Sequence, residues 1–187
     1  MKIVLASKSP RRKEIIESLG YDILIDPSNV DESLVKEKNI KKLVMGIAKL
    51  KAETVSKKHD NAIIIGIDTL VYFQGRKIGQ QKTDKGAKKI IKRLLGKKHE
   101  IYSGICLINT KNNKSLQDYD VSCVKLKTAS EKALKDYIKT GKYEGKAGAY
   151  DIADKEFKPF ISKIEGCRYN IRGFPIKKFK KMIKKIR

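Results

Sequence analysis

The chain has 187 residues, 40% of them hydrophobic and 35% charged, a mixture too apolar for a disordered chain and too charged for a membrane-embedded one. That length predicts a single unit spanning 1–187 with a core that needs no disulfide or metal staple. The 44 basic and 21 acidic side chains leave a formal charge of +23, a field that attracts phosphates of any kind.

In chain order, the apolar run Lys2–Ala6 leads into Ser7-Lys8-Ser9-Pro10, and Glu14–Leu19 then carries apolar residues at helical spacing before Gly20, so strand, loop and helix are predicted. Tyr21–Ile25 reads as a strand with a turn-rich exit at Asp26-Pro27-Ser28-Asn29. Residues 40–57 place Ile40, Leu43, Val44, Ile47, Leu50 and Val55 on one face of a long amphipathic helix. Ala62–Phe73 is β-branched and apolar apart from Gly66, Asp68 and Thr69, as a central strand buried on both faces would be. Thr83 caps a predicted helix to Leu95, and two hairpin strands follow around 99–109 and 116–127 with their turn at Asn112-Asn113. Ser130 opens a helix to Thr140, Phe157–Ile164 reads as a strand, and a last helix starts after Pro175. Helices and strands alternate without repeat or linker, so the expected class is α/β or α+β with a mixed sheet flanked by helices.

Seven of the basic residues are Arg and the other 37 are Lys, spread along almost the whole chain. Nucleic-acid readers favour Arg for bidentate and stacking contacts, so the scattered lysines read first as a solvated basic surface, with nucleic-acid binding as the rival. The longest apolar stretch, Ala62–Ile67, is far below the roughly 20 residues of a spanning helix, and Met1-Lys2 leads into no cleavable apolar leader. A cytoplasmic protein is expected. Cys106, Cys123 and Cys167 are widely spaced, without the pairing of a zinc or redox site, and are expected to be reduced and structural.

Two groups of residues carry chemistry. Where a strand passes through a short loop into a helix, the first-turn N–H groups and the helix dipole form an anion site. Ser9 stands at the N-cap position and Pro10 at the first helical one, Ser7 adds a second hydroxyl, and Arg11 and Arg12 add charge-assisted donors suited to phosphate oxygens. Asp68 lies in the middle of an apolar strand, where an ionised carboxylate is costly unless it meets a metal or a cation. The residues alone leave two readings of it: a buried Asp satisfied by backbone N–H groups or a lysine, and a catalytic group.

Leu5-Ala6-Ser7-Lys8-Ser9-Pro10-Arg11-Arg12 followed by Glu14 resembles the N-terminal signature of the Maf family of nucleotide pyrophosphatases. Gly66-Ile67-Asp68-Thr69 is similar to that family's Gly-Ala-Asp-Thr strand, and Lys51-Ala52 to its Glu-Lys-Ala helix segment. Lys146-Ala147-Gly148-Ala149-Tyr150 resembles its Lys-Ala-Gly-Ala-Tyr loop, and Ile164-Glu165-Gly166 through Asn170 with Gly173-Phe174-Pro175 its closing stretch. The blocks occur in order across essentially the whole chain. The resemblance implies a two-lobed, inosine-triphosphatase-like single domain with a central cleft, a homodimer, and hydrolysis of a nucleoside triphosphate to monophosphate and pyrophosphate with Mg²⁺ or Mn²⁺. It implies that Asp68 is general base or metal ligand, that Glu32 serves the same site as a carboxylate and metal ligand, and that Lys51 is catalytic. It also implies phosphate binding by Ser7, Ser9, Arg11, Arg12 and Lys82, and base selection at Arg11, Thr69 and position 153.

Three positions depart from the family pattern. The lysine expected after the Gly-Asp-Thr strand falls on Gln80, with Lys82 able to replace it if the loop is reshaped; Gly145, preceded by Glu144, stands where an Asp is common; and Ala153 replaces an amide in the dTTP/UTP-cleaving pattern Gly-Ile-Gln. An amide can pair with a pyrimidine edge and Ala cannot, so dTTP/UTP stays the first expectation, with 7-methyl-GTP or ITP-like purines as alternatives. The alternative from another class is a basic nucleic-acid-binding protein on the same fold.

Overall fold

A computed structural model describes residues 1–187. Its strands are β1 (Lys2–Leu5), β2 (Leu24–Ile25), β3 (Ala62–Phe73), β4 (Arg76–Ile78), β5 (Lys98–Asn109), β6 (Lys114–Leu126) and β7 (Ile161–Glu165). Its helices are α1 (Pro10–Glu17), α2 (Ile40–Ser56), α3 (Asp84–Leu94), α4 (Glu131–Lys139), α5 (Arg168–Ile171) and α6 (Ile176–Ile186). The strands form one sheet of order β2-β1-β3-β5-β6-β7, with β4 paired to β3. β1 pairs parallel with β2 and β3, whereas β3–β4 and β6–β7 are antiparallel, so the sheet is mixed as the pattern of elements predicts.

The expected elements recur with two corrections. The strand predicted over Tyr21–Ile25 shrinks to Leu24–Ile25, because only those residues pair with β1. The strand predicted over Phe157–Ile164 starts at Ile161: Lys158–Phe160 form a 3₁₀ turn, since Pro159 has no N–H to give a ladder. Thr83 and Ser130 cap their helices as predicted, accepting from Gly86 N at 3.2 Å and Ala133 N at 3.2 Å. The three cysteines are free, Cys106 and Cys167 buried. No helix is long and apolar enough to cross a membrane.

The chain divides into two compact units, the first comprising Met1–Thr69, Tyr102–Asp120 and Gly173–Arg187, the second Leu70–Ile101 and Val121–Arg172. In the first unit α2 lies against the backbone of β3 and β5. A Cβ on Gly66 would meet the Ala48 carbonyl oxygen at 2.0 Å, and one on Gly104 the Val44 carbonyl oxygen at 2.2 Å, so only glycine permits this approach. Val44, Ala48, Ala52 and Val55 are fully buried beneath it. The second unit is built on aromatic packing: Tyr150 stacks on Phe157 at 4.4 Å between centroids, and Phe157 on Phe160 at 5.0 Å. His99, buried beside them, bonds through Nε2 to the Tyr150 hydroxyl at 2.5 Å, and burial pushes its pKa down to about 4. The same burial pushes the Tyr150 hydroxyl upward.

Candidate active site

The close approach at Gly66 fixes what happens two residues later. Residues i and i+2 of a strand share a face, so Asp68 points toward α2 as Gly66 does. On that helix Lys51 follows Val44 and Ala48 at steps of seven and three, which brings it onto the buried side. Its side chain is 12% exposed, Nζ lying 3.1 Å from Asp68 Oδ1 and 2.6 Å from Glu32 Oε1. Glu32 opens a 3₁₀ turn whose preceding residue, Asp31, accepts from Ser33 N at 3.0 Å and so holds the loop in place. The structure therefore brings Asp68, Lys51 and Glu32 together, with the ammonium bridging a buried and a half-exposed carboxylate.

Asp68 is 5% exposed, and its second oxygen, Oδ2, is buried without any hydrogen-bond partner. A buried carboxylate oxygen left unpaired is costly, and such groups call for an ion, a water or a substrate proton. Asp68 and Glu32 present hard oxygen donors, the type that Mg²⁺ and Mn²⁺ prefer. No group of three or more His, Cys, Asp or Glu side chains converges anywhere in the chain. Two carboxylates with the remaining positions left to water and phosphate oxygens is the usual arrangement for Mg²⁺, so the residues fit such an ion.

The loop expected to bind phosphate lies between β1 and α1. Pro10 is the first helical residue, and Ser9 holds the N-cap position with extended backbone but makes no side-chain cap. Its own N–H donates to Ser7 Oγ at 3.3 Å. The first-turn N–H groups of α1 thus lack the side-chain acceptor that most helix starts supply, which suits an external anion. Arg12 has a more structural setting than the sequence suggests. Its Nε donates to the Gly173 carbonyl at 3.0 Å, Nη1 to Ser7 Oγ at 2.9 Å and to the Ile67 carbonyl at 3.1 Å, and Nη2 to Thr69 Oγ1 at 3.2 Å. Burial lowers its pKa to about 10, against the opposing pull of Asp68, so it stays a cation. Arg12 ties the loop to the strand bearing Asp68. Thr69 Oγ1 also lies 3.0 Å from Ser103 Oγ, a partner that no sequence signal identifies.

The remaining predicted residues lie in the second unit. Gln80 forms an antiparallel bridge with Ala147, so the departure at position 80 is built against the Lys-Ala-Gly-Ala-Tyr loop. Lys82 is exposed and takes part in no ion pair. Lys146 is paired with Asp154 at 2.6 Å, both side chains mostly buried. Ala153 is exposed, its N–H donating to Asp151 Oδ1 at 3.0 Å.

The sequence matches the Maf-like protein family over residues 2–186. The dTTP/UTP pyrophosphatase of Clostridium acetobutylicum is 38% identical over 193 residues, covering 98% of this chain and 96% of its own. That of Clostridioides difficile is 38% identical over 185 residues, covering 99% and 95%. Among solved structures, a HAM1 protein from Coxiella burnetii aligns with 67% of this chain and 73% of its own at 16% identity and a TM-score of 0.46. With a match that leaves out only the first and last residues, and relatives of this identity over nearly their full length, the chain belongs to the Maf-like protein family.

Proposed function

We propose that the chain is a nucleoside triphosphate pyrophosphatase whose chemistry centres on the Asp68–Lys51–Glu32 group. The observation that carries this reading is the partnerless Oδ2 of Asp68, a buried base facing no protein donor. The relatives' names, dTTP/UTP pyrophosphatase, make those two nucleotides the first substrates to try.

In this reading the phosphate chain is received at the N-terminus of α1, by the hydroxyls of Ser7 and Ser9 and by the guanidinium of Arg11. Lys82, an exposed cation without an ion-pair partner, is the further phosphate-binding candidate. Asp68 Oδ2 accepts a proton from water as the water oxygen attacks the α-phosphorus. The bond from that phosphorus to the α,β-bridging oxygen breaks, and pyrophosphate leaves. Lys51 holds Asp68 in place, and its charge opposes the build-up of negative charge on the phosphate oxygens. A bound divalent cation, Mg²⁺ first and Mn²⁺ second, held by Asp68 and Glu32, would supply Lewis-acid stabilisation of those oxygens. Arg12 acts through Thr69 and Ser7 and is a positioning residue.

Ala153 cannot read a base edge as an amide would, so a purine or modified triphosphate is the competing substrate class. The test is pyrophosphate release from dTTP, UTP, CTP, 7-methyl-GTP, GTP, ITP and ATP with Mg²⁺ or Mn²⁺, wild type beside Asp68→Ala. Release from one or a few of them, abolished by the substitution, is the expected result. Release that survives Asp68→Ala, or none under either metal, would overturn the reading.

A further inference from the structure

The lysines are spread along the sequence, but the fold does not answer them evenly. On α1, α2 and α3 they meet carboxylates: Lys13 pairs with Glu17, Lys49 with Glu53, and Lys88 and Lys92 share Glu131. α6 differs. Residues 176–187 hold six Lys and one Arg and no acidic side chain, and of these cations only Lys178 is ion-paired, to Asp118 at 3.0 Å.

The helix sorts its residues by face. Ile176, Phe179, Met182, Ile183 and Ile186 are buried, which commits the apolar side to the core. At about 100° per residue, Lys177, Lys181 and Lys184 form the central row of the opposite side, with Lys180 and Arg187 on one flank and Lys185 on the other, all exposed. From Lys177 to Arg187 this row runs roughly 15 Å. The β5–β6 turn continues it: Asn109 Nδ2 donates to the Ile186 carbonyl at 2.9 Å and Lys114 Nζ to the Lys185 carbonyl. These bonds bring the exposed Lys111 and Lys114 to the helix end, and residues 109–117 contain no acidic side chain either.

Such a face offers a row of point charges with nothing apolar or aromatic to insert. The one aromatic ring of α6, Phe179, is fully buried and its single Arg stands at the end, so the face provides neither base stacking nor a set of bidentate forks for nucleic acid. An anionic bilayer asks for neither, because its headgroups present negative charge across a plane, and clusters of about four to eight lysines on a helix suit it. We propose that α6, with the β5–β6 turn, docks this protein on an anionic phospholipid surface, the lysines resting on the headgroups while the apolar side of the helix stays in the core. This face shares no residue with the Asp68–Lys51–Glu32 group, and the inference stands whether or not that group is a pyrophosphatase.

The full chain is mixed with phosphatidylcholine vesicles, with and without phosphatidylserine, and the bound fraction is read by cosedimentation. Binding to the phosphatidylserine vesicles alone is expected at about 0.1 M salt, and its loss at about 1 M, where the screening length falls to roughly 3 Å. The triple variant Lys177→Glu, Lys181→Glu, Lys184→Glu should lower the partition coefficient about 100-fold or more, at about fivefold for each lysine lost. A control triple, Lys85→Glu, Lys89→Glu, Lys132→Glu, makes the same change in net charge on α3 and α4 and should lower it by less than about tenfold. All six lysines are exposed, so both variants keep their buried faces. The proposal is overturned if the wild type binds both kinds of vesicle alike or neither, or if the two triple variants lose binding equally. It is also overturned if the wild type binds a random-sequence DNA duplex through the α6 lysines but not the anionic vesicles.

Discussion

Asp68 and Asp151 are equally buried, each 5% exposed, yet they are satisfied in different ways. Asp151 Oδ1 accepts from a backbone N–H two residues on and faces a guanidinium, the pattern of a carboxylate that holds a turn together. Asp68 shares one ammonium with a half-exposed Glu32 and keeps an oxygen with no partner at all. Burial alone therefore does not separate a structural carboxylate from a reactive one. What sets Asp68 apart from Asp151 is its unpaired oxygen, whose desolvation is offset by nothing within the fold.

The contrast can be broken most sharply at Lys51. Replacing it by Met leaves Asp68 as a buried charge without its ammonium, and chemical denaturation should show a loss of about 3–5 kcal/mol. Added Mg²⁺ should then raise the melting temperature of Lys51→Met more than that of wild type; an equal rise would argue against cation binding by Asp68 and Glu32.

A second probe lies in the other unit, at His99. Its pKa is pushed down to about 4 by burial, from an ordinary value near 6.5, so the folded chain holds it neutral. Above pH 6.5 neither folded nor unfolded chain protonates it and its neutral burial costs nothing. As the pH falls from 6.5 toward 4 the unfolded chain takes up the proton and stability declines, by roughly 3 kcal/mol across the window. Denaturation midpoints followed over that range should fall less steeply in His99→Gln.

Asp151→Asn should lower stability by about 1–3 kcal/mol, because Arg172 is partly exposed and loses an ion pair that solvent already weakens. The smallest effect belongs to Ser7→Ala, about 1 kcal/mol in thermal or chemical unfolding, for the loss of one acceptor of Arg12. An effect several times larger would mean that the loop depends on Ser7 more than its bonds imply.

Much of this was legible from residue order. The β-branched run of β3 and the caps at Thr83 and Ser130 announce their elements because the signals are local. Asp68 announces itself because a charge inside that run violates the pattern. Lys51 is hidden by composition: among so many lysines its place on the buried side of α2 shows only once Gly66 is seen to draw that helix onto the strand. The work of Arg12 is hidden by distance, since its acceptors lie 5, 55, 57 and 161 residues away in sequence. Asp151 carries no motif that would separate it from an ordinary acidic turn.

The most direct measurement is the rate of pyrophosphate release from dTTP and UTP by Asp68→Asn beside Asp151→Asn, each corrected for its folded fraction. Loss of a base should lower kcat of Asp68→Asn by about 10²–10⁴-fold, while Asp151→Asn keeps a rate within about threefold of wild type. Equal losses in the two variants, or a fully active Asp68→Asn, would contradict the assignment of the unpaired oxygen as the reactive one.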